Sequence, residues 1–197
     1  MQKIQTMNYN IILSEFVGVP ASGTNITTKH LQALLTMTQE DLDRVFGFRT
    51  IRMLTDNFVA KAKGKNITLY YENKYGVDAD IFNWLPNTEV IDGEQPSTNI
   101  SMLEQTTTEA DMLKTAIKLP LSQAIERMTS ELEAGYFDEK NKILIIYLTD
   151  QKDGISLRLV GIRDSVGELG LDAGKVGADY EWDVKDLRVG FLSSNAS

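Results

Sequence analysis

Cysteine is absent from the chain, and histidine occurs once, as His30. The first absence removes disulfides, thiolate nucleophiles, iron–sulfur clusters and cysteine-based zinc sites. The second removes histidine-rich metal centres. A Ser-His-Asp triad would have to use His30, and no G-x-S-x-G elbow accompanies it. Long apolar runs are also missing: the densest, ILIIYL at 143–148, falls far short of the roughly 20 residues that cross a bilayer. Neither G-x-G-x-x-G nor G-x-x-x-x-G-K-[ST] occurs, so the glycines do not announce a phosphate loop. We therefore expect no cofactor. Any catalysis would have to use carboxylates, lysines, hydroxyls or a hard cation such as magnesium.

What is present is the composition of an ordinary folded protein. With 197 residues, 42% hydrophobic and 24% charged, the chain can bury one full core or two small ones. Its net charge of −8 argues against wholesale coating of nucleic acid or anionic membrane. The charge is uneven, however. Between residues 44 and 65 six basic side chains (Arg44, Arg49, Arg52, Lys61, Lys63 and Lys65) face Asp56 alone, a net +5 that leaves −13 on the remainder. Such a basic surface suits contact with an acidic face of another copy or another subunit. With Tyr70, Tyr71 and Tyr75 following, non-specific contact with nucleic acid is its alternative use. No membrane partner is expected.

Patterning gives the elements. Residues 8–19 read as a buried strand rather than a secretory address, since Glu15 interrupts the apolar run. TTKHLQALLTM reads as a short helix with His30 exposed or capping. TQEDLDRVFG reads as a second helix that starts at Thr38 and stops at Gly47. A third follows, with Ile51, Leu54, Phe58 and Ala62 on one face and Gly64 at its end. NITLYYENKYG, 66–76, alternates as a strand. Residues 78–101 form a long connection with a strand near TEVI, and the best place for a boundary between halves. Residues 106–134 carry the clearest helical stripe, Leu113 through Leu132, capped by Thr106 with Glu109 and either kinked at Pro120 or split there into two helices in series. KILIIYLTDQKDGISLRLVGI, 142–162, reads as a β-hairpin turning at Asp153-Gly154. The glycine-rich stretch 164–180 reads as a long loop of turns and bulges, or else as a meandering β-edge, before a last strand at DLRVGFL.

Three patterns carry chemistry. TQEDLDRVFGF, within 38–56, resembles the helix-turn-helix of bacterial and phage DNA-binding regulators: Gly47 and Phe48 match the turn, and Leu42 an inner position. The resemblance implies Arg49 and Arg52 as groove-facing residues. The chain departs from that pattern at Asp43 and Asp56, where close packing asks for small or apolar side chains. Asp172 with Asp183-x-Lys185 imitates a magnesium nuclease, though acid-x-lysine also occurs at Glu72/Lys74, Asp138/Lys140 and Asp150/Lys152. Asp78-x-Asp80 starts like a calcium loop, but Phe82 stands where the next ligand belongs. The four N-x-S/T sequons, at Asn25, Asn66, Asn99 and Asn195, read as products of an Asn- and Thr-rich chain.

The expected fold is α+β: a helical first half (1–100) with one or two strands, then (101–197) a long kinked helix packed on an antiparallel β-meander, the two forming one domain or two. The expected function is a non-catalytic structural or adaptor subunit of a larger homo- or hetero-oligomeric assembly. A phage virion component is the setting that fits, with a cytoplasmic or virion location. A DNA-binding protein and a magnesium-dependent nuclease are the alternatives. The sequence designates no catalytic, cofactor-binding or metal-binding residue.

Overall fold

The computed structural model describes residues 39–83, 99–152 and 154–194, without the side chains of 39–49 and Lys152. The chain divides into two compact units, residues 1–47 and 48–197. The expected strand at 8–19, the helix containing His30 and the strand near TEVI lie outside the described residues. Of the first unit, the described part is the opening of helix α1.

Helix α1, Gln39–Gly64, is continuous. The stop and restart expected at Gly47 are replaced by unbroken helix, which removes the turn that the helix-turn-helix resemblance requires. One mid-helix glycine costs about 1 kcal/mol in propensity, too little to break a helix whose next turns are anchored. The anchors are Ile51, Phe58 and Ala62, all fully buried, with Thr55 buried beside them. The helix ends where Gly64 predicts. Asn66 takes the left-handed conformation (φ 57°), while Ile67 N–H donates to the Ala62 carbonyl and Asn66 N–H to that of Lys63. This is a Schellman closure with Asn66 in the usual glycine place.

The segment 66–76 is not the strand its alternation suggests. Apart from a single parallel bridge, Leu69 to Leu169, it is an irregular run fastened along a sheet edge. Tyr70 N–H donates to Leu169 O, Leu169 N–H to Thr68 O, and Asp78 N–H to Leu171 O. An exposed strand edge invites pairing with other chains, and this segment covers one. Helix α2, Asp80–Asn83, follows and buries Ile81 and Phe82.

The kinked helix or pair of helices expected over 106–134 is three elements: α3 (Glu109–Met112), β3 (Lys118–Leu119) and α4 (Leu121–Glu133). Pro120 explains the break. A proline pushes the residue before it into extended conformation, so Leu119 pairs with β4 as a strand while Pro120 starts α4. The cap of α3 is Thr108, whose hydroxyl accepts from Asp111 N–H, rather than Thr106. Helix α4 takes its anion from a neighbouring strand: Asp150 Oδ2 accepts from Leu121 N–H at 2.9 Å, a favourable charge at a helix N-terminus.

The sheet confirms the hairpin and corrects the topology around it. Strands β4 (Lys142–Lys152), β5 (Ile155–Arg163) and β6 (Leu169–Lys175) run antiparallel in sequence. Gly154 supplies the positive φ of the first turn. The stretch 164–180 thus contains an edge strand, the second of its two expected readings. Strand β8 (Arg188–Ser193) then lies parallel to β4, and β1 (Asn99–Met102) antiparallel to β8. The order is β1-β8-β4-β5-β6, with β3 on β4, so the sheet is mixed rather than a pure meander. A ribbon of β2 (Thr107–Thr108) and β7 (Glu181–Trp182) stands apart. The protein is α+β.

Strand β4 is apolar on both faces because both are covered. Leu144, Ile146 and Leu148 pack into one core with α1 and α4, including Phe58, Ile125 and Met128. Ile143, Ile145 and Tyr147 pack into a second core with Met112, Trp182 and Phe191. Segments before and after residue 100 share the first core, as Ile51 and Leu144 show.

Candidate functional site

Five of the six basic residues of the 44–65 stretch fall on α1, and Lys65 follows directly after its end. For Arg44 and Arg49 only the helical backbone is described. Three of the others are answered from within the chain. Arg52 Nε meets Asp56 Oδ2 at 3.0 Å, with its guanidinium over the Tyr75 ring. Lys61 pairs with Glu133, and Lys65 with Asp138 at 2.8 Å. Lys63 is exposed. Arg52 and Lys63 border an open groove with Lys74 and Tyr75. The α1 side chains thus link the helix to the end of α4 and the loop beyond it.

The most concentrated chemistry lies elsewhere, on the second face of the sheet, and is built around Glu109. Its side chain is fully buried, a position that ionised glutamate occupies only when paired. Arg158 Nη1 donates to Oε2 at 2.6 Å and Gly177 N–H to the same oxygen at 2.8 Å. Trp182 Nε1 donates to Oε1 at 3.2 Å. Arg158 also donates to Lys175 O and stacks against the rings of Tyr180 and Trp182. The carboxylate therefore pins the β2–β7 ribbon and the end of β6 to the sheet. Tyr147 lies beneath it, its phenol pushed well above the ordinary value by burial and then by the charge of Glu109, which Arg158 partly offsets.

Beside this post runs an open trough. Register places Ile162 opposite Gly170, Val160 opposite Asp172 and Arg158 opposite Gly174. Strand β6 thus sends Leu169 and Leu171 into the first core and presents Gly170, Asp172 and Gly174 on the second face. Two cavities of about 310 and 410 Å³ open there and share Ile162 and Asp172. Tyr70 and Tyr71 wall one end, Tyr180 and Trp182 the other.

Asp172 is half-buried at the centre, accepting from the Tyr71 hydroxyl. Burial raises its carboxyl above the ordinary range, and the nearby charge of Asp78 adds to this, while the Tyr71 bond opposes it. A carboxyl with a raised folded-state pKa stabilises the fold fully only below its unfolded pKa. That contribution is lost as pH rises through the folded value. Asp172→Asn is therefore expected to be at least as stable as the wild type at pH 7, with its relative advantage shrinking at pH 3.5. Urea unfolding at both values checks the sign.

The sequence-level metal patterns take structural roles. Asp78 Oδ1 accepts from Asp80 N–H and Oδ2 from Ala173 N–H, tying the edge segment to β6. Asp183 Oδ1 accepts from Lys185 N–H at 3.0 Å, and the Lys185 side chain is largely exposed. Asp172 and Asp183 do line one trough, but no group of three metal-ligating side chains gathers among the described residues. Among them, too, no helix is long and apolar enough to cross a membrane.

Sequence reasoning noticed Glu109 only as a capping residue and gave Arg158 no role. The available signal was Arg158 itself, a charge set between Leu157 and Leu159 on a strand that has neighbours on both sides. Comparison with protein-family models, curated proteins and solved structures finds no match for the chain.

Proposed function

We propose that this protein is a non-catalytic structural or adaptor subunit of a larger assembly. The observation that supports this reading best is the saturation of Glu109. A general base needs a free lone pair within reach of a substrate proton. Both oxygens of Glu109 instead accept from Arg158, Gly177 and Trp182, which suits a fixed post. Around that post the surface offers aromatic rings beside carboxylates, with Tyr70 and Tyr180 exposed. Exposed aromatics beside a rigid floor are what a protein contact uses. Crosslinking in the intact source, followed by mass analysis, tests the reading: the chain is expected in species of several subunits. Recovery solely as a free chain would contradict it.

A further inference from the structure

We propose that the trough across β5 and β6 is a docking site for an extended lysine- and arginine-bearing segment of a different subunit. The proposal rests on the assembly reading and names the chemistry of the partner.

Charge selects the class of ligand. Asp164, Glu168 and Asp172 line one cavity, and Asp172, Glu181 and Asp183 the other. The one cation among the lining residues, Arg158, is already held by Glu109 and Lys175 O. Asp164 is partly engaged, accepting from Gly167 and Glu168 N–H. Among the described residues Asp172 Oδ2 carries no hydrogen bond, and Oδ1 takes only the Tyr71 hydroxyl. A cationic side chain would supply the missing donor and meet aromatic faces at either end.

Shape selects an extended chain. From Gly170 to Gly174 the floor runs about 13 Å along β6, the reach of four strand residues. Both glycines lack the side chain that would fill the floor. A Cβ placed there would meet ordinary contacts of 3.5–3.6 Å, so the space is open rather than sterically forced. The basic stretch of a second copy of this chain does not fit, since it is helical and its described cations are largely paired. Nucleic acid is disfavoured by the sign of the lining charge.

The experiment is calorimetric titration of the full chain, at low and at physiological salt, with a capped peptide of alternating arginine and glycine. A glutamate-glycine peptide and a neutral oligosaccharide serve as the other arms. The arginine peptide is expected to bind, and to bind more weakly in salt. Asp172→Asn is expected to weaken it about tenfold, and Tyr70→Ala about threefold, each with an unfolding midpoint no lower than the wild type's. Absence of binding at low salt, unchanged affinity in Asp172→Asn, or preference for the oligosaccharide would overturn the proposal. An assembly that forms while ignoring the peptide would sink the docking site and leave the assembly reading standing.

Discussion

Replacement of Glu109 by alanine is expected to cost about 3–5 kcal/mol of stability, because it leaves a largely buried guanidinium without its counter-charge. The side chain of Arg158 keeps 14% of its exposure and that of Glu109 none. Gly177 N–H and Trp182 Nε1 lose their acceptor in the same stroke. For a unit of this size such a loss lowers the melting temperature on the order of 10 °C. The informative comparison is the double variant Glu109→Leu with Arg158→Met. Removing both charges together leaves no unpaired charge, while Gly177 N–H and Trp182 Nε1 still lack their acceptor, so it is expected to recover part of the loss. Urea unfolding of wild type, single and double variants checks this. A single variant within 1 kcal/mol of wild type would show that the pair does not hold the ribbon.

The second large effect is at Gly161, in the middle of β5. A Cβ built there would lie 2.6 Å from Met128 Sδ and 2.7 Å from Phe137 Cζ. Both neighbours are fully buried, so α4 approaches the sheet over a position that must lack a side chain. Gly161→Ala is expected to cost about 1–3 kcal/mol, and larger residues more, because the core must shift to admit the added volume. Met128→Ala alone is expected to lose about 2–5 kcal/mol through the cavity it leaves. The pair should couple: the new methyl partly fills the space Met128 vacates, so the double variant loses less than the two singles together. Strict additivity in a double-mutant cycle would contradict the packing described.

These positions also show what the sequence could and could not disclose. The hairpin was legible because its two runs are rich in β-formers and its turn carries Asp153-Gly154. In β5 the alternate residues Leu157, Leu159 and Gly161 share one face, the face that meets α4. The long helix was misread because Leu113, Ile117 and Leu121 happen to recur at helical spacing. They lie in α3's C-terminal turn, a loop and α4 instead, and Pro120 decided the matter locally. Gly47 misled in the opposite direction, since burial of Ile51 and Phe58 outweighs a small propensity cost.

Strand β6 was legible only as one of two readings, turns or a β-edge. With Gly170, Asp172 and Gly174 on the open face, only Leu169 and Leu171 signal a strand, and glycine otherwise reads as turn. The Glu109 post was illegible for a different reason. Its donors come from Arg158, Gly177 and Trp182, far along the chain, and no local pattern encodes such a meeting. The pairing of β8 parallel to β4 is likewise a tertiary choice.

In the proposed function the buried charges are framework and the open face of the sheet is a contact surface within an assembly. Native mass spectrometry of the untagged chain, sprayed directly from gently lysed source material, tests this most directly. The 22.1 kDa chain is expected within a complex of several subunits, and its release is expected as salt weakens the charged contacts. A single chain at every protein concentration and ionic strength would contradict it.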